Sequence, residues 1–141
     1  MVKKFRSSCI IASALDLIGD KWSLLIIRDL LLYQKKTFKE LVTSDEGIAS
    51  NLLSSRLKLL ESLKIISKRK RPENKKENIY LLTEKGIDLA PMIMEIVLWS
   101  NTHVRAYNLG MNEYETQSID KTEVIKSIQE EYRGFLKGVI G

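Results

Sequence analysis

Apolar residues recur at helical spacing through the first sixty positions, change to a shorter period near residue 65, and return to helical spacing from residue 83 onward. A first helix is predicted from about Ser8 to Ile18, with Ile11, Ala14, Leu15 and Ile18 on one stripe, and Gly19-Asp20 breaks it. Asp20 is placed to cap a second helix from Lys21 to about Tyr33. That helix is apolar nearly all round and belongs at the centre of the fold. A short third helix follows Thr37 and carries Phe38, Leu41 and Val42, and Ser44-Asp45-Glu46-Gly47 reads as a turn. Ser50 is expected to cap a fourth helix through about Leu63, with Leu53, Leu57 and Leu60 facing inward.

Ile65 to Arg71 reads as a strand and Ile79 to Leu82 as its return, with Pro72 to Asn78 a long charged tip. Thr83 is expected to cap the next helix, running past Trp99 to about Tyr107 with a kink at Pro91. Asn108 to Ser118 is a connection. Asp120 caps a last helix, Glu123 completes a capping-box pattern, and the stripe is Val124, Ile128, Tyr132, Phe135 and Val139. The chain is therefore mainly α with a small β-hairpin. A helix-turn-helix followed at once by a charged hairpin is the winged helix-turn-helix arrangement, here with trailing helices suited to dimerisation. Residues 1–108 are expected to form the DNA-binding domain and 109–141 a helical extension that contributes to the dimer interface.

Composition narrows the class. A chain of 141 residues, 44% hydrophobic, suits one core. One cysteine excludes an internal disulfide framework and a Cys-rich zinc site, and one histidine argues against a His-based metal centre or triad. No paired carboxylates, Gly-rich phosphate loop or nucleophile with a base stands at useful spacing, so neither an enzyme nor a cofactor is expected. No window reaches the roughly 18–20 apolar residues of a membrane span, and no leader pattern is seen. A reducing, cytoplasmic setting is the expectation.

The net charge of +5 is concentrated. Lys64 to Asn78 holds seven basic and two acidic residues, so the rest of the chain is neutral overall. Phosphate backbones reward such concentration through counterion release. Lys68, Arg69, Lys70, Arg71, Lys75 and Lys76 are the candidate wing contacts. The fourth helix should turn Asn51, Ser54, Ser55 and Lys58 outward, types that can pair with base edges, while free N–H groups at Ser50 suit a phosphate. Thr37 joins the DNA-facing set, and Arg56 is assigned to a phosphate or to bracing the wing. Alone, the charged run also fits a solvated loop that protects a hairpin edge. A winged-helix module that meets an acidic protein surface is the alternative function.

Elsewhere, Arg28 and Asp29 interrupt an apolar helix and are expected in salt bridges. Trp22 and Trp99 are expected as core anchors, and His103 as an ordinary surface or interface residue. Leu89, Met92, Ile96 and Trp99 form one stripe and Ile93, Val97 and Val104 another. One side can pack on its own domain and the first stripe can meet a second subunit. Val124, Ile128, Tyr132 and Phe135 are assigned to the same two-fold interface. Cys9 reads either as a thiol sensor or as a small apolar residue at a helix start.

These pieces have a counterpart. Cys9, the run Ala14 to Leu30 containing Gly19-Asp20-Lys21-Trp22-Ser23-Leu24, then Phe38-Lys39-Glu40-Leu41, Gly47-Ile48, Leu53-Ser54, Arg56-Leu57-Lys58, Leu60-Glu61, Tyr80-Leu81-Leu82-Thr83-Glu84-Lys85-Gly86 and Trp99 occur in consistent order. Over about residues 9–100 the chain resembles the HxlR-type winged helix-turn-helix transcriptional regulators, of the MarR-like superfamily. The resemblance implies a small homodimeric DNA-binding protein of bacteria or archaea, usually a repressor at a roughly palindromic double-stranded operator, with the fourth helix as recognition helix and the basic hairpin as wing. It also implies redox or electrophile sensing through Cys9 in some members; the effector here is unknown. Two positions depart from the pattern: Ile10 where Pro is common, and Lys64 where Gly is usual. Either Lys64 ends the recognition helix in a conformation that favours glycine, at some cost, or the helix ends differently. The tail from Asn108 to Gly141 is longer than typical.

Overall fold

The computed structural model describes residues 4–71, 73–114 and 120–140. Among them the order is α1 (Ile10–Ile18), α2 (Lys21–Tyr33), α3 (Phe38–Val42), α4 (Ser50–Ser62), β1 (Ile66–Arg71), β2 (Asn74–Leu82), α5 (Glu84–Ile87), α6 (Ala90–His103) and α7 (Lys121–Ile140). The strands form one antiparallel hairpin, in which Ile66 faces Leu82 and Arg69 faces Ile79. No helix among the described residues is long and apolar enough to cross a membrane.

The second helix is central, as its all-round apolarity predicts. Ile26, Ile27, Leu30 and Leu31 are buried, and α2 packs against α4, α6, α7 and β2. Asp20 starts it, accepting the Ser23 N–H at 3.0 Å and the Ser23 hydroxyl at 2.8 Å. Thr37 opens α3 in a capping box with Glu40. The interrupting pair Arg28-Asp29 does form salt bridges. Arg28 grips Glu46 at 2.8 Å and Asp29 at 2.7 Å, Lys35 reaches buried Asp29 at 3.5 Å, and the Ser44 hydroxyl donates to Asp29. This knot fixes the turn between α3 and α4 to the end of α2. The hydrogen bond from Arg28 chiefly holds Glu46 below the usual carboxylate range.

Several boundaries differ from expectation. The residue that caps α4 is Ala49, not Ser50. Ala49 takes the extended conformation, its carbonyl receives the Leu53 N–H at 2.9 Å, and Ser50 is already helical. The tip is not the long loop expected over Pro72 to Asn78, because β2 begins at Asn74. Arg71 pairs across it with Glu73 and Glu77, Asn74 Oδ1 accepts the Lys76 N–H at 3.1 Å, and the register shifts at Lys70/Arg71. Pro72 itself lies outside the described residues. The long helix predicted from Thr83 is two helices, and it ends at His103 rather than near Tyr107. Pro91 lies in the first turn of α6, where its missing N–H costs nothing, so it starts a helix and does not kink one. Gly86, in α5, is required by close approach: a Cβ there would lie 2.4 Å from the Ile65 carbonyl oxygen. Lys64 does adopt the left-handed conformation, at φ 60°.

Tyr132 is fully buried within its own chain, which corrects its assignment to the dimer interface. Ile128 and Phe135 pack on the same core, so most of the α7 stripe is spent on its own domain. Tyr132 Oη accepts the Leu82 N–H at 2.8 Å, Gln129 donates to the Ile87 carbonyl at 3.2 Å, and Arg133 pairs with Glu84 at 2.9 Å. Burial pushes the Tyr132 hydroxyl up to about 12, against the opposing effect of the Leu82 hydrogen bond. Asp120 caps α7 through the Thr122 N–H at 3.0 Å, and the end of the expected connection, residues 115–119, lies outside the described residues. Trp22 packs on the core, whereas Trp99 is 63% exposed with its ring tilted against that of His103, so it is not a core anchor.

Candidate nucleic-acid interface

Leu53, Leu57 and Leu60 are buried beneath α4, and this sets its outer face. Ser50, Asn51, Ser55 and Lys58 are exposed on that face, while Ser54 is half-buried at its edge. Because Ala49 supplies no side-chain cap, the first N–H groups of α4 have no side-chain partner at the cap position. Arg56 points elsewhere. Its Nε donates to Asp20 Oδ2 at 2.9 Å, so it ties α4 to the start of α2 and does not brace the wing. Thr37 is also misassigned as a contact: it is buried, and its hydroxyl is held in the α3 cap by Glu40.

The wing abuts this helix. β1 packs against α4, and Lys68 Nζ lies 4.0 Å from Glu61 Oε1, so helix and hairpin form one continuous surface. Side chains alternate along β1 up to the register shift at Lys70/Arg71, which sends Lys68 and Lys70 to one face and Arg69 to the other. Arg69, Lys70, Lys75 and Lys76 are exposed, and among the described residues none has an acidic partner. Arg71 differs. It is clamped by Glu73 at 2.5 Å and Glu77 at 3.3 Å, chiefly the former, and both raise its pKa further. Arg71 is thus tied to the tip, while Arg69, Lys70, Lys75, Lys76 and Lys58 stand exposed on the surface of wing and helix.

Sequence reasoning passed over Lys39. It is exposed on α3 and faces Lys76 across a groove floored by Phe38, Val42 and Tyr80. Only the packing of α3 beside β2 brings these lysines to one groove, and nothing in the local sequence separates Lys39 from an ordinary surface lysine.

Cys9 is exposed at the start of α1, and its N–H is held by Ser7 Oγ at 3.2 Å. Arg6, beside it, pairs with Asp16 at 2.5 Å. Of the α6 stripe, Met92, Ile96 and Trp99 are exposed, and Leu89 packs on the core. On α1, Ile10, Ile11 and Leu15 are exposed and only Ile18 is buried. Val124 is half-buried. Among the described residues there is no group of three or more His, Cys, Asp or Glu able to hold a metal ion.

A polar helix joined to a lysine-rich hairpin on a trihelical core has known counterparts. The model of the HxlR-like helix-turn-helix family matches residues 17–108, from the end of α1 through α6. The HTH-type transcriptional regulator YodB of Bacillus subtilis is 37% identical over 89 residues, 63% of this chain and 79% of YodB. The reduced form of YodB superposes with a TM-score of 0.58 at 32% identity, covering 71% of this chain and 98% of YodB; diamide-treated and quinone-bound forms of that regulator are similar as well. The crystal structure of PA1607 matches with a TM-score of 0.63 at 31% identity, over 82% of this chain and 76% of that one. α7 lies beyond the residues matched by the family model.

Proposed function

Since this chain belongs to the HxlR-like helix-turn-helix family and is a DNA-binding transcriptional regulator, we propose that it acts as a homodimer, most simply a repressor, on a pseudo-palindromic operator. Each subunit lays α4 in a major groove, the two grooves being roughly 34–36 Å apart, and sets its wing on the flanking backbone or minor groove. The observation that supports this reading is the packing of β1 on α4, where Lys68 Nζ lies 4.0 Å from Glu61 Oε1, beside a helix whose Asn51 is exposed. Asn51, Ser54 and Ser55 are the base-facing candidates; Ser50, Lys58, Lys68, Arg69, Lys70, Lys75 and Lys76 are the phosphate-facing ones. The family is one of regulators, which leaves the protein-interaction alternative without support. We place the protein's action in the cytoplasm, with the DNA.

The dimer surface we infer is α1 with α6. Ile10, Ile11 and Leu15 on α1, which meets the core through Leu17 and Ile18, and Ile96 and Trp99 on α6 are large apolar side chains left exposed on one chain. Cys9 sits at the head of that same α1. YodB is known in diamide-treated and quinone-bound forms, and we propose a like thiol response here, with modification of Cys9 changing how α1 meets the partner.

The test is a binding titration against the duplex upstream of the protein's own gene and against a random duplex, at moderate salt. A clear preference for the upstream duplex is expected. Equal affinity for the two defeats sequence-specific recognition there. Loss of an oxidant response in Cys9→Ser is expected, and an unchanged response removes Cys9 as sensor.

A further inference from the structure

A cavity of about 450 Å³ opens between the end of α2, one side of α6 and the connection that follows it. That volume lies in the range of small-molecule sites, roughly 300–1,000 Å³. Its wall is apolar at Ile96, Val97 and Met111. The polar groups on the wall have weak or neutral partners. The Ser100 hydroxyl reaches Met111 Sδ at 3.6 Å, and the Tyr114 hydroxyl reaches Met94 Sδ at 3.7 Å; a thioether is a poor acceptor. Arg105 donates to the Met111 and Asn112 carbonyls at 3.2 and 3.1 Å and to Asn101 Oδ1 at 2.5 Å. All three acceptors are neutral, and among the described residues no carboxylate forms an ion pair with this half-buried guanidinium. The other guanidinium on the wall, Arg28, is already balanced by Asp29 and Glu46. The acid on the lining, Glu113, is exposed.

We propose that this cavity binds a small organic monoanion with an apolar body. Its carboxylate accepts from Arg105, Ser100 and Tyr114, replacing two sulfur acceptors by a charged oxygen pair, and its hydrocarbon part lies on Val97 and Met111. Arg28 lines the same cavity and holds Glu46 in the turn ahead of α4, so occupancy has a physical route to the DNA-facing helix. That route rests on the DNA-binding reading; binding itself does not, and it is measured on the protein alone.

Full-length protein is titrated calorimetrically with benzoate, with hexanoate, and with benzyl alcohol as the neutral counterpart. Saturable binding of at least one carboxylate is expected, with Kd at or below about 1 mM, and none of the alcohol. Arg105→Gln is expected to weaken binding at least about tenfold. Because Arg105 also holds the connection, its variant is checked by circular dichroism. The double variant Ser100→Ala, Tyr114→Phe keeps the charge, and a loss of about three- to tenfold is expected from it. Absence of binding by both carboxylates, equal binding of the alcohol, or wild-type affinity in the double variant overturns the proposal.

Discussion

The hydroxyl of Tyr132, near the C-terminal end of the chain, accepts the backbone N–H of Leu82 at the base of the wing at 2.8 Å. The free edge of β2 is thereby paired twice, since the Tyr80 N–H goes to the Lys36 carbonyl at 2.7 Å. Tyr132→Phe keeps the ring and leaves a buried N–H without an acceptor. A loss of about 1–3 kcal/mol is expected, read by urea denaturation at neutral pH. The hydroxyl is harder to ionise in the folded chain, at about 12, than in the unfolded one. Its contribution is therefore fully present below the unfolded value near 10 and is lost as pH rises toward 12. The wild type should lose stability over that interval more steeply than the Phe variant.

Lys64 carries a side chain where φ is 60°, immediately before the Ile65 that leads into β1. An L-residue with a Cβ pays in this region and glycine does not. Lys64→Gly is expected to stabilise the protein by about 0.5–1 kcal/mol, seen as a rise in Tm.

Lys70 and Arg71 are neighbours with different employment. Lys70→Ala is expected to weaken binding to every duplex alike and to reduce the slope of log K against log salt by about 0.9. Arg71 is already held by Glu73 and Glu77. Arg71→Ala should therefore change the salt slope less than Lys70→Ala does, and should instead loosen the tip, seen as faster amide exchange in residues 73–77.

Asn51 stands exposed on the outer face of α4. Asn51→Ala is expected to cost about 1–3 kcal/mol on the preferred duplex and little on a random one. Selection on randomised DNA should then return a relaxed preference at one position of each half-site.

Trp99 is 63% exposed on α6. Trp99→Glu puts a charge where we place the partner subunit, and sedimentation should show at least about a tenfold weaker dimer with the monomer still folded.

Much of this was legible in the sequence. The limits of α2, the cap at Asp20 and the inward leucines of α4 follow from spacing and residue type, whereas the left-handed Lys64 was suggested only by the glycine usual there in the family the chain resembles. The cap of α4 was misplaced because the extended backbone of Ala49 makes it, and no side-chain type announces that. The tip read as a loop because its residues are polar and turn-forming, while the strand is continued by cross-strand pairing of Lys70 with Asn78 and of Arg71 with Asn74. Periodicity showed that α6 and α7 each had apolar stripes but not which stripe met which surface. Trp99 proved exposed and Tyr132 buried for that reason, and Thr37 and Arg56 turned out to serve helix packing.

Asp20 receives Ser23 on one side and Arg56 on the other. Burial raises its affinity for a proton, but those hydrogen bonds together outweigh it and leave the carboxyl more acidic than in the unfolded chain. The bonds are intact above the ordinary aspartate range and are released as pH falls through the lowered value. One carboxylate thus works as a rivet through two plates: the proton that frays the start of the central helix also unpins α4, the helix we propose for the groove, so acid is expected to blunt recognition before it unfolds the core.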